Sequence, residues 1–206
     1  MTTPLRSIGR PLLPSAFAAA VTIGACLCLP GPVQPGPLVD AATAAEAKAA
    51  AGDAKGAYEL VRKAVGDFAV GLPLTIGTGV FVTTVPTAFG IYEPRPNAVF
   101  KPGEALITYI EPIGLTWKQA TADPAKQQTD FTVDFELLDT KGTILGSQKT
   151  FGQFSFVSFI RNQEIFAHLR MDITGAPAGD YVMRYTLNDT AGSRQVQLEQ
   201  PFSIAP

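Results

Sequence analysis

From Leu72 onward, apolar and polar residues alternate with a period of two. Phe131, Val133, Phe135 and Leu137 alternate with Thr132, Asp134 and Glu136. Successive side chains of a strand point to opposite faces, so this run predicts a half-buried strand. The clearest pair lies at the C-terminal end. Tyr181, Met183, Tyr185 and Leu187 alternate with Val182, Arg184 and Thr186; Asn188-Asp189-Thr190-Ala191-Gly192 supplies a turn; Val196, Leu198, Phe202 and Ile204 alternate with Gln195, Gln197, Glu199 and Ser203 on the return. Further strands are predicted over 79–85, 89–93, 105–111, 143–149, 154–160 and 165–173. Pro86, Pro94 and Pro96 bound the first two, and Asp139-Thr140-Lys141-Gly142 turns the chain with a glycine where positive φ is tolerated. In 105–111 both alternating sets carry apolar residues, so both faces are expected to be covered. About eight or nine short strands with no helix between them predict a mainly β domain over 72–206, an antiparallel β-sandwich.

Before Leu72 the period changes. Residues 41–71 are rich in alanine, the best helix former. Ala47, Ala50, Ala54, Ala57, Val61, Ala64 and Phe68 recur every three or four positions and so share one face. Gly52-Asp53 interrupts the run, with Asp53 able to cap a second helix. The prediction is one kinked helix or a helical hairpin, ending near Gly66 or Gly71. The spacing of Ala45, Gly52, Ala57 and Ala64 resembles a single tetratricopeptide repeat, from which Lys48 and Ala69 depart. A lone repeat cannot bury its own face. The segment is therefore expected to pack on the β domain, against Phe151, Phe154, Phe156 and Phe159.

The N-terminal residues 1–40 have a third pattern. Arg6 and Arg10 precede an apolar run from Pro11 to Leu29, the layout of an export signal. Its uninterrupted part, Ala16 to Leu29, falls short of the ~20 apolar residues of a spanning helix. Three outcomes stay open. Cleavage at Ala41 or after Ala42-Thr43-Ala44 would leave a long Pro/Gly-rich stretch, Pro30 to Pro37, on the signal. Retention would leave an anchor. The third is lipidation: Ile23-Gly24-Ala25-Cys26 resembles the lipobox of bacterial lipoproteins, with Gly24 departing from it, and the resemblance implies lipid attachment at Cys26 with the Pro/Gly stretch as a tether.

Composition narrows the function. The chain of 206 residues is 46% hydrophobic and 17% charged, which places it among globular proteins rather than disordered ones. Its formal net charge is -2 with scattered Lys and Arg, so no basic face points to nucleic acid. Both cysteines, Cys26 and Cys28, lie in the signal region. The remainder has no thiol nucleophile, redox pair or disulfide.

Two stretches carry a wider resemblance. Ala178-Gly179-Asp180-Tyr181-Val182-Met183-Arg184-Tyr185, followed by Asp189 and Gly192, resembles the final hairpin of immunoglobulin-like domains on exported bacterial proteins. Phe100-Lys101-Pro102-Gly103-Glu104, followed by Leu106 to Tyr109, is similar to their early strand. The resemblance implies an immunoglobulin-like sandwich and no particular site. There is no cysteine pair to bridge two sheets, and Trp117 falls outside the predicted strands.

Candidate chemistry is sparse. His168, the one histidine, alternates onto a face with Glu164, Phe166, Arg170 and Asp172, a pattern a solvated strand also gives. Glu104, Glu111, Asp134 and Glu136 are the carboxylates a glycoside hydrolase would need in pairs. No nucleophile elbow is present, and Gly71, Gly77 and Gly79 lack the Lys-Ser/Thr ending of a phosphate loop. No cofactor or metal is indicated. The segment from Glu111 to Asp130 reads as a loop longer than the usual ~12–15 residues, a length that often marks function. Its Trp117, with Tyr109 and Tyr92, would form an aromatic platform for a sugar or peptide, or else cap the sandwich. The reading is thus an exported, non-catalytic envelope or periplasmic module, binding or structural, whose partner is an envelope protein or glycan and whose membrane association comes only through the N-terminal segment. A carbohydrate-recognition module using the loop aromatics is one alternative and a hydrolase another.

Overall fold

The computed structural model describes residues 36–206, two helices followed by nine strands. The proposed export signal and Cys26 lie outside the described residues. Helix α1 spans Pro37–Ala50 and α2 spans Ala54–Val70. Pro37 opens α1 because a proline costs nothing in the first turn, where its missing N–H would have no partner. The helix therefore starts inside the stretch that composition assigns to a tether. Gly52, at φ 84°, ends α1, and the Asp53 carboxylate accepts the Gly56 N–H at 2.9 Å to begin α2. The predicted interruption at Gly52-Asp53 thus makes a hairpin. Its packed face is the predicted one only in part. Ala45 and Ala57 are buried between the helices, while Val61 and Phe68 are 43% and 53% exposed. Within α2 the alanines of the predicted face turn toward α1, and the larger Val61 and Phe68 stand at its margin.

The strands form two sheets. β1 (Thr75–Phe81), β3 (Ala105–Ile113) and β7 (Ala167–Asp172) make a three-stranded antiparallel sheet in the order β1-β3-β7. The six-stranded sheet runs β2 (Val99–Phe100), β9 (Arg194–Ile204), β8 (Gly179–Asp189), β5 (Gln127–Asp139) and β4 (Lys118–Gln119), with β6 (Ile144–Ser158) paired to β5. Its pairings are antiparallel except β2 with β9. The alternation of the last hairpin survives intact. Tyr181, Met183, Tyr185 and Leu187 are buried along β8, and Phe202 and Ile204 are buried along β9.

One core joins the sheets. Leu106, Ile110 and Leu169 of the smaller sheet share it with Phe131, Val133, Met183, Tyr185 and Leu187 of the larger. Removing such side chains from water is the main favourable term, roughly 1.5–3 kcal/mol for each large one. The flank beside β1, β2 and β9 is shut by Phe81, Phe100 and Phe202, which meet edge-on at 5.2, 5.9 and 6.2 Å. Gly79 allows the close approach there: a Cβ at this position would lie 2.6 Å from Cδ2 of Leu198. Within the core, the Thr108 hydroxyl lies 3.2 Å from the Tyr185 hydroxyl and 3.1 Å from Oε1 of Gln200. These buried polar atoms satisfy one another across the two sheets.

Several predicted boundaries move. The first strand begins at Thr75 and ends at Phe81, and 89–93 is no strand but part of a loop with two bridges, Val82 to Pro94 and Ala88 to Ile91. The predicted strands 143–149 and 154–160 are the single strand β6. A bulge lies between them, where the register against β5 shifts between Val133 and Phe135, and Thr150 takes φ 51°. Asp134 holds the bulge by accepting the Thr150 N–H at 2.7 Å and the Lys149 ammonium at 3.0 Å. The predicted loop 111–130 shrinks, because β3 runs to Ile113, β4 intervenes, and β5 starts at Gln127.

The hairpin does not cover the phenylalanines. Phe154 and Phe156 stack on Phe131 at 4.9 and 6.0 Å, inside the sheet face. Phe159 is 73% exposed, with the Lys126 ammonium 5.1 Å from its ring. Helix α2 instead meets the segment after β6. Gly66 is buried against the Arg161 backbone, and Asp67 pairs with the Arg161 guanidinium at 2.8 Å. Val70 reaches the main core.

Candidate functional site

The three aromatic residues proposed as a ligand platform do not present one. Trp117 is 8% exposed and belongs to the main core with Leu115. It caps the sheets, the other role open to it from sequence. Tyr109 is fully buried on the outer face of β3, and Tyr92, half-buried, stacks on it at 4.2 Å. Phe166 stacks on the far side of Tyr109 at 5.6 Å. The structure thus brings Tyr92 and Tyr109 together and leaves Trp117 in a separate cluster.

The polar end of Tyr109 is fully engaged. Its hydroxyl accepts the Gly90 N–H at 2.8 Å and donates to Glu111, whose other oxygen accepts from the Thr78 hydroxyl at 2.8 Å. Burial, with the neighbouring Glu111 carboxylate, pushes the phenol up to about 12. A phenol held neutral and bonded at both ends is a fastening. It ties the loop after β1 down onto β3, which is how both faces of β3 come to be covered.

The other singled-out groups are equally engaged. Glu104 accepts the Lys101 N–H at 2.9 Å and pairs with Arg95 at 2.6 Å. The Lys101 N–H, aided by Arg95 against a desolvation cost, holds its carboxyl below the usual range. Glu136 pairs with Arg184 at 2.9 Å, and Arg184 also holds Glu199 at 2.7 Å, a chain of charges across β5, β8 and β9. Asp134 sits at the bulge. His168 is exposed, opposite Tyr109 in the register of β3 and β7, and its strand neighbours Ala167 and Leu169 face the core as the alternation predicts.

One cluster escaped the sequence reading. The Asp189 carboxylate is wholly buried and accepts from the Thr116 N–H at 3.0 Å, the Thr116 hydroxyl at 2.8 Å, the Gly192 N–H at 3.1 Å and Arg194 at 2.8 Å. Arg194 also donates to the Gly114 carbonyl and, at 3.3 Å, to that of Leu72. Burial pushes the carboxyl up, but Arg194, Thr116 and Gly192 together outweigh it, and the net position is below the usual range. The Asp-x-x-Gly of the turn is legible in sequence. The partner Thr116, 73 positions away, is not.

Among the described residues, no group of three or more His, Cys, Asp or Glu side chains is placed to hold a metal ion. No helix among them is long and apolar enough to cross a membrane. Two apolar openings among the described residues bear on function. A groove of about 530 Å³ lies at the open end of the helical hairpin, between Leu38 and Ala41 of α1 and Leu60, Ala64 and Phe68 of α2. A cleft of about 430 Å³ lies between the first half of β6 and the end of β7, lined by Phe135, Leu137, Leu145, Met171, Ile173 and Tyr181. Here the inward side chains of β5 are only half-buried, in contrast to the phenylalanine-sealed flank opposite.

No family model matches the chain, and no curated protein matches it. Among solved structures, the chain is similar to Pseudomonas fluorescens alkylpurine DNA glycosylase AlkC bound to DNA containing an abasic site analog, at a TM-score of 0.34 and 15% identity. The similarity covers 71% of this chain and 34% of that one, so the chain spans about a third of the glycosylase's length. A likeness at this level carries no argument about what this chain does.

Proposed function

We propose that the protein is an exported, non-catalytic module of the cell envelope whose β part is an immunoglobulin-like antiparallel sandwich, and that it holds an extended segment of another envelope protein. The open flank beside β6 carries this reading. Among the described residues strand β6 pairs with β5 alone, so the backbone of Ile144 to Lys149 has a free edge there. Leu145 and Ile144 are about half exposed there, next to the cleft. A strand added along this edge would gain backbone hydrogen bonds and place alternate apolar side chains over Phe135, Leu137 and Met171. The bulge at Thr150 and the charged Lys149 would limit pairing to the first half of the strand.

The sandwich reading is supported by the shared core and by the two stretches that resemble immunoglobulin-like domains: one opens β8, and the other turns into β3. The non-catalytic reading is supported by Glu104, Glu111, Asp134 and Glu136, each bonded within the fold. A glycan held on Trp117 and Tyr109 loses its basis with their burial. Selection of extended peptides from a displayed library, followed by titration, tests the edge. Binding should be abolished by Leu145→Glu and untouched by His168→Ala; equal binding by both variants would remove the strand-addition reading. Mass spectrometry of the mature N-terminus tests export. A diacylated Cys26 or a new N-terminus at Ala42 or Ala45 supports it, whereas an intact Met1 in a protein found in the cytoplasm opposes it.

A further inference from the structure

Four side chains of α2 stand exposed in a single file: Tyr58 at 67%, Val61 at 43%, Val65 at 43% and Phe68 at 53%. Their spacing is three, four and three. That is the a-d-a-d pattern of a helix that packs against another helix along a seam. Among the described residues no helix packs along the seam; Tyr58, Val61 and Val65 border an open cleft of about 350 Å³ whose other wall is Ile160 to Glu164. The side toward α1 carries Ala57, which is buried, and Leu60 and Ala64, which are half-buried at the groove beside Leu38 and Ala41. At about 100° per residue, the seam is centred roughly a quarter turn around the helix from that row. This is the angle at which a helix in a four-helix bundle meets its second neighbour.

The order of the four residues identifies the neighbour. Aromatic, valine, valine, aromatic at spacings of three, four and three reads the same from either end. Under a two-fold axis between Val61 and Val65, Tyr58 of one copy meets Phe68 of the other, and Val61 meets Val65. An isologous interface demands this self-complementarity. We infer that the α2 seams of two copies pair antiparallel, so that two hairpins join into a four-helix bundle and the protein is a dimer.

Area and charge agree. With Leu38, which lines the groove beside Phe68, the exposed apolar surface comes to roughly 500 Å² per copy, or about 1,000 Å² for the pair, the lower limit of a specific interface. The dimer is therefore of modest affinity and responds to concentration. The charged pairs of α2, Lys55 with Glu59 at 3.9 Å and Lys63 with Asp67, stand away from the seam; the charge at its margin is Arg62, whose guanidinium lies 5.7 Å from the Tyr58 ring, and the chain as a whole is near neutral. No single-sign field opposes association.

Sedimentation equilibrium of the full chain over a wide concentration range tests the inference. The wild type is expected to pass from monomer to twice the monomer mass, and Val61→Glu with Val65→Glu to remain monomeric throughout with an unchanged far-UV spectrum. A wild type that stays monomeric, or a double variant that associates like wild type, overturns it. The second result would assign association to another part of the chain. Orientation is read separately by mixing Tyr58→Cys and Phe68→Cys chains, each with Cys26→Ser and Cys28→Ser. Antiparallel pairing gives mostly the mixed disulfide; a majority of like-with-like disulfides overturns the two-fold pairing.

Discussion

The sheets and the helical hairpin are built on different terms. The sheets bury Phe100, Phe131, Tyr109, Tyr185, Leu106 and Met183, nearly all without residual exposure. The hairpin buries Ala45, Ala57, Gly66 and Ala69 and leaves its larger residues, Tyr58, Val61, Val65 and Phe68, in contact with water. Burial free energy scales with apolar area, and alanine brings little of it. The hairpin rests instead on helix propensity, the Asp53 cap and exposed ion pairs worth a few tenths of a kcal/mol each. Helices of this length are marginal without a packed face. The two parts of one compact unit should therefore differ in local stability, with the hairpin opening first.

The largest effect that tests this contrast is loss of a core aromatic. Phe131→Ala should cost about 3–5 kcal/mol and shift the denaturant midpoint read by fluorescence of Trp117, the one tryptophan, which is buried in the same core. Leu60→Ala, the largest apolar truncation on the α1–α2 contact, should leave that midpoint in place and lower only the helical signal. Native-state hydrogen exchange is the sharper measurement. Hairpin amides protected to the same free energy as those of β5 and β8 would break the comparison.

Next in size is the Asp189 knot. It ties the turn between β8 and β9 to the segments around Leu72 and Gly114 through one buried carboxylate. Asp189→Ala leaves Arg194 and the Thr116 N–H facing an empty site, and should cost about 3 kcal/mol, in the range for breaking a buried pair. The same group sets a pH dependence. Its folded value lies below the ordinary 3.8, as does that of Asp134. A depressed carboxyl stabilises the fold above its unfolded value, and that contribution is lost as pH falls through the folded one. The sheets should therefore lose thermal stability as the pH drops below about 4, and Asp189→Asn should flatten the decline. An equally steep decline in Asp189→Asn would place the acid response elsewhere.

The same contrast governs what could be read from sequence. The hairpin β8–β9 was legible because each strand has one wet and one dry face, so period two survives. The bulge in β6 was not, because it depends on Asp134 of another strand reaching the Thr150 N–H. Trp117 was legible as a large residue in a non-strand segment, but its burial is set by Thr116 reaching Asp189 from the far end of the chain. In α1 and α2 the alanine-rich composition named the element correctly and placed its face only in part. Where most positions are small and apolar, periodicity carries little phase information. The cleft beside β6 has no sequence signature, because it arises from a missing neighbour.

The smallest prediction is the cleanest comparison of the two regions, since chemistry and geometry are matched. Gly52 closes α1 and Gly142 closes the turn between β5 and β6; both take φ 84°, and a Cβ added at either would meet nothing within 4 Å. Alanine at each position thus incurs backbone strain alone, about 1 kcal/mol. At Gly142 the strain belongs to the sheets, where Asp139 already holds the turn by accepting the Lys141 and Thr143 N–H groups at 2.9 and 2.8 Å. Gly142→Ala should therefore move the whole unfolding transition seen by Trp117. At Gly52 the strain belongs to a hairpin that opens on its own. Gly52→Ala should leave the Trp117 transition unmoved while hairpin amides exchange about fivefold faster, the factor that 1 kcal/mol gives. Equal shifts of the Trp117 midpoint in both variants would mean that hairpin and sheets unfold as one cooperative unit, and that the segment at Arg161 and Val70 couples them more tightly than its small contact area allows.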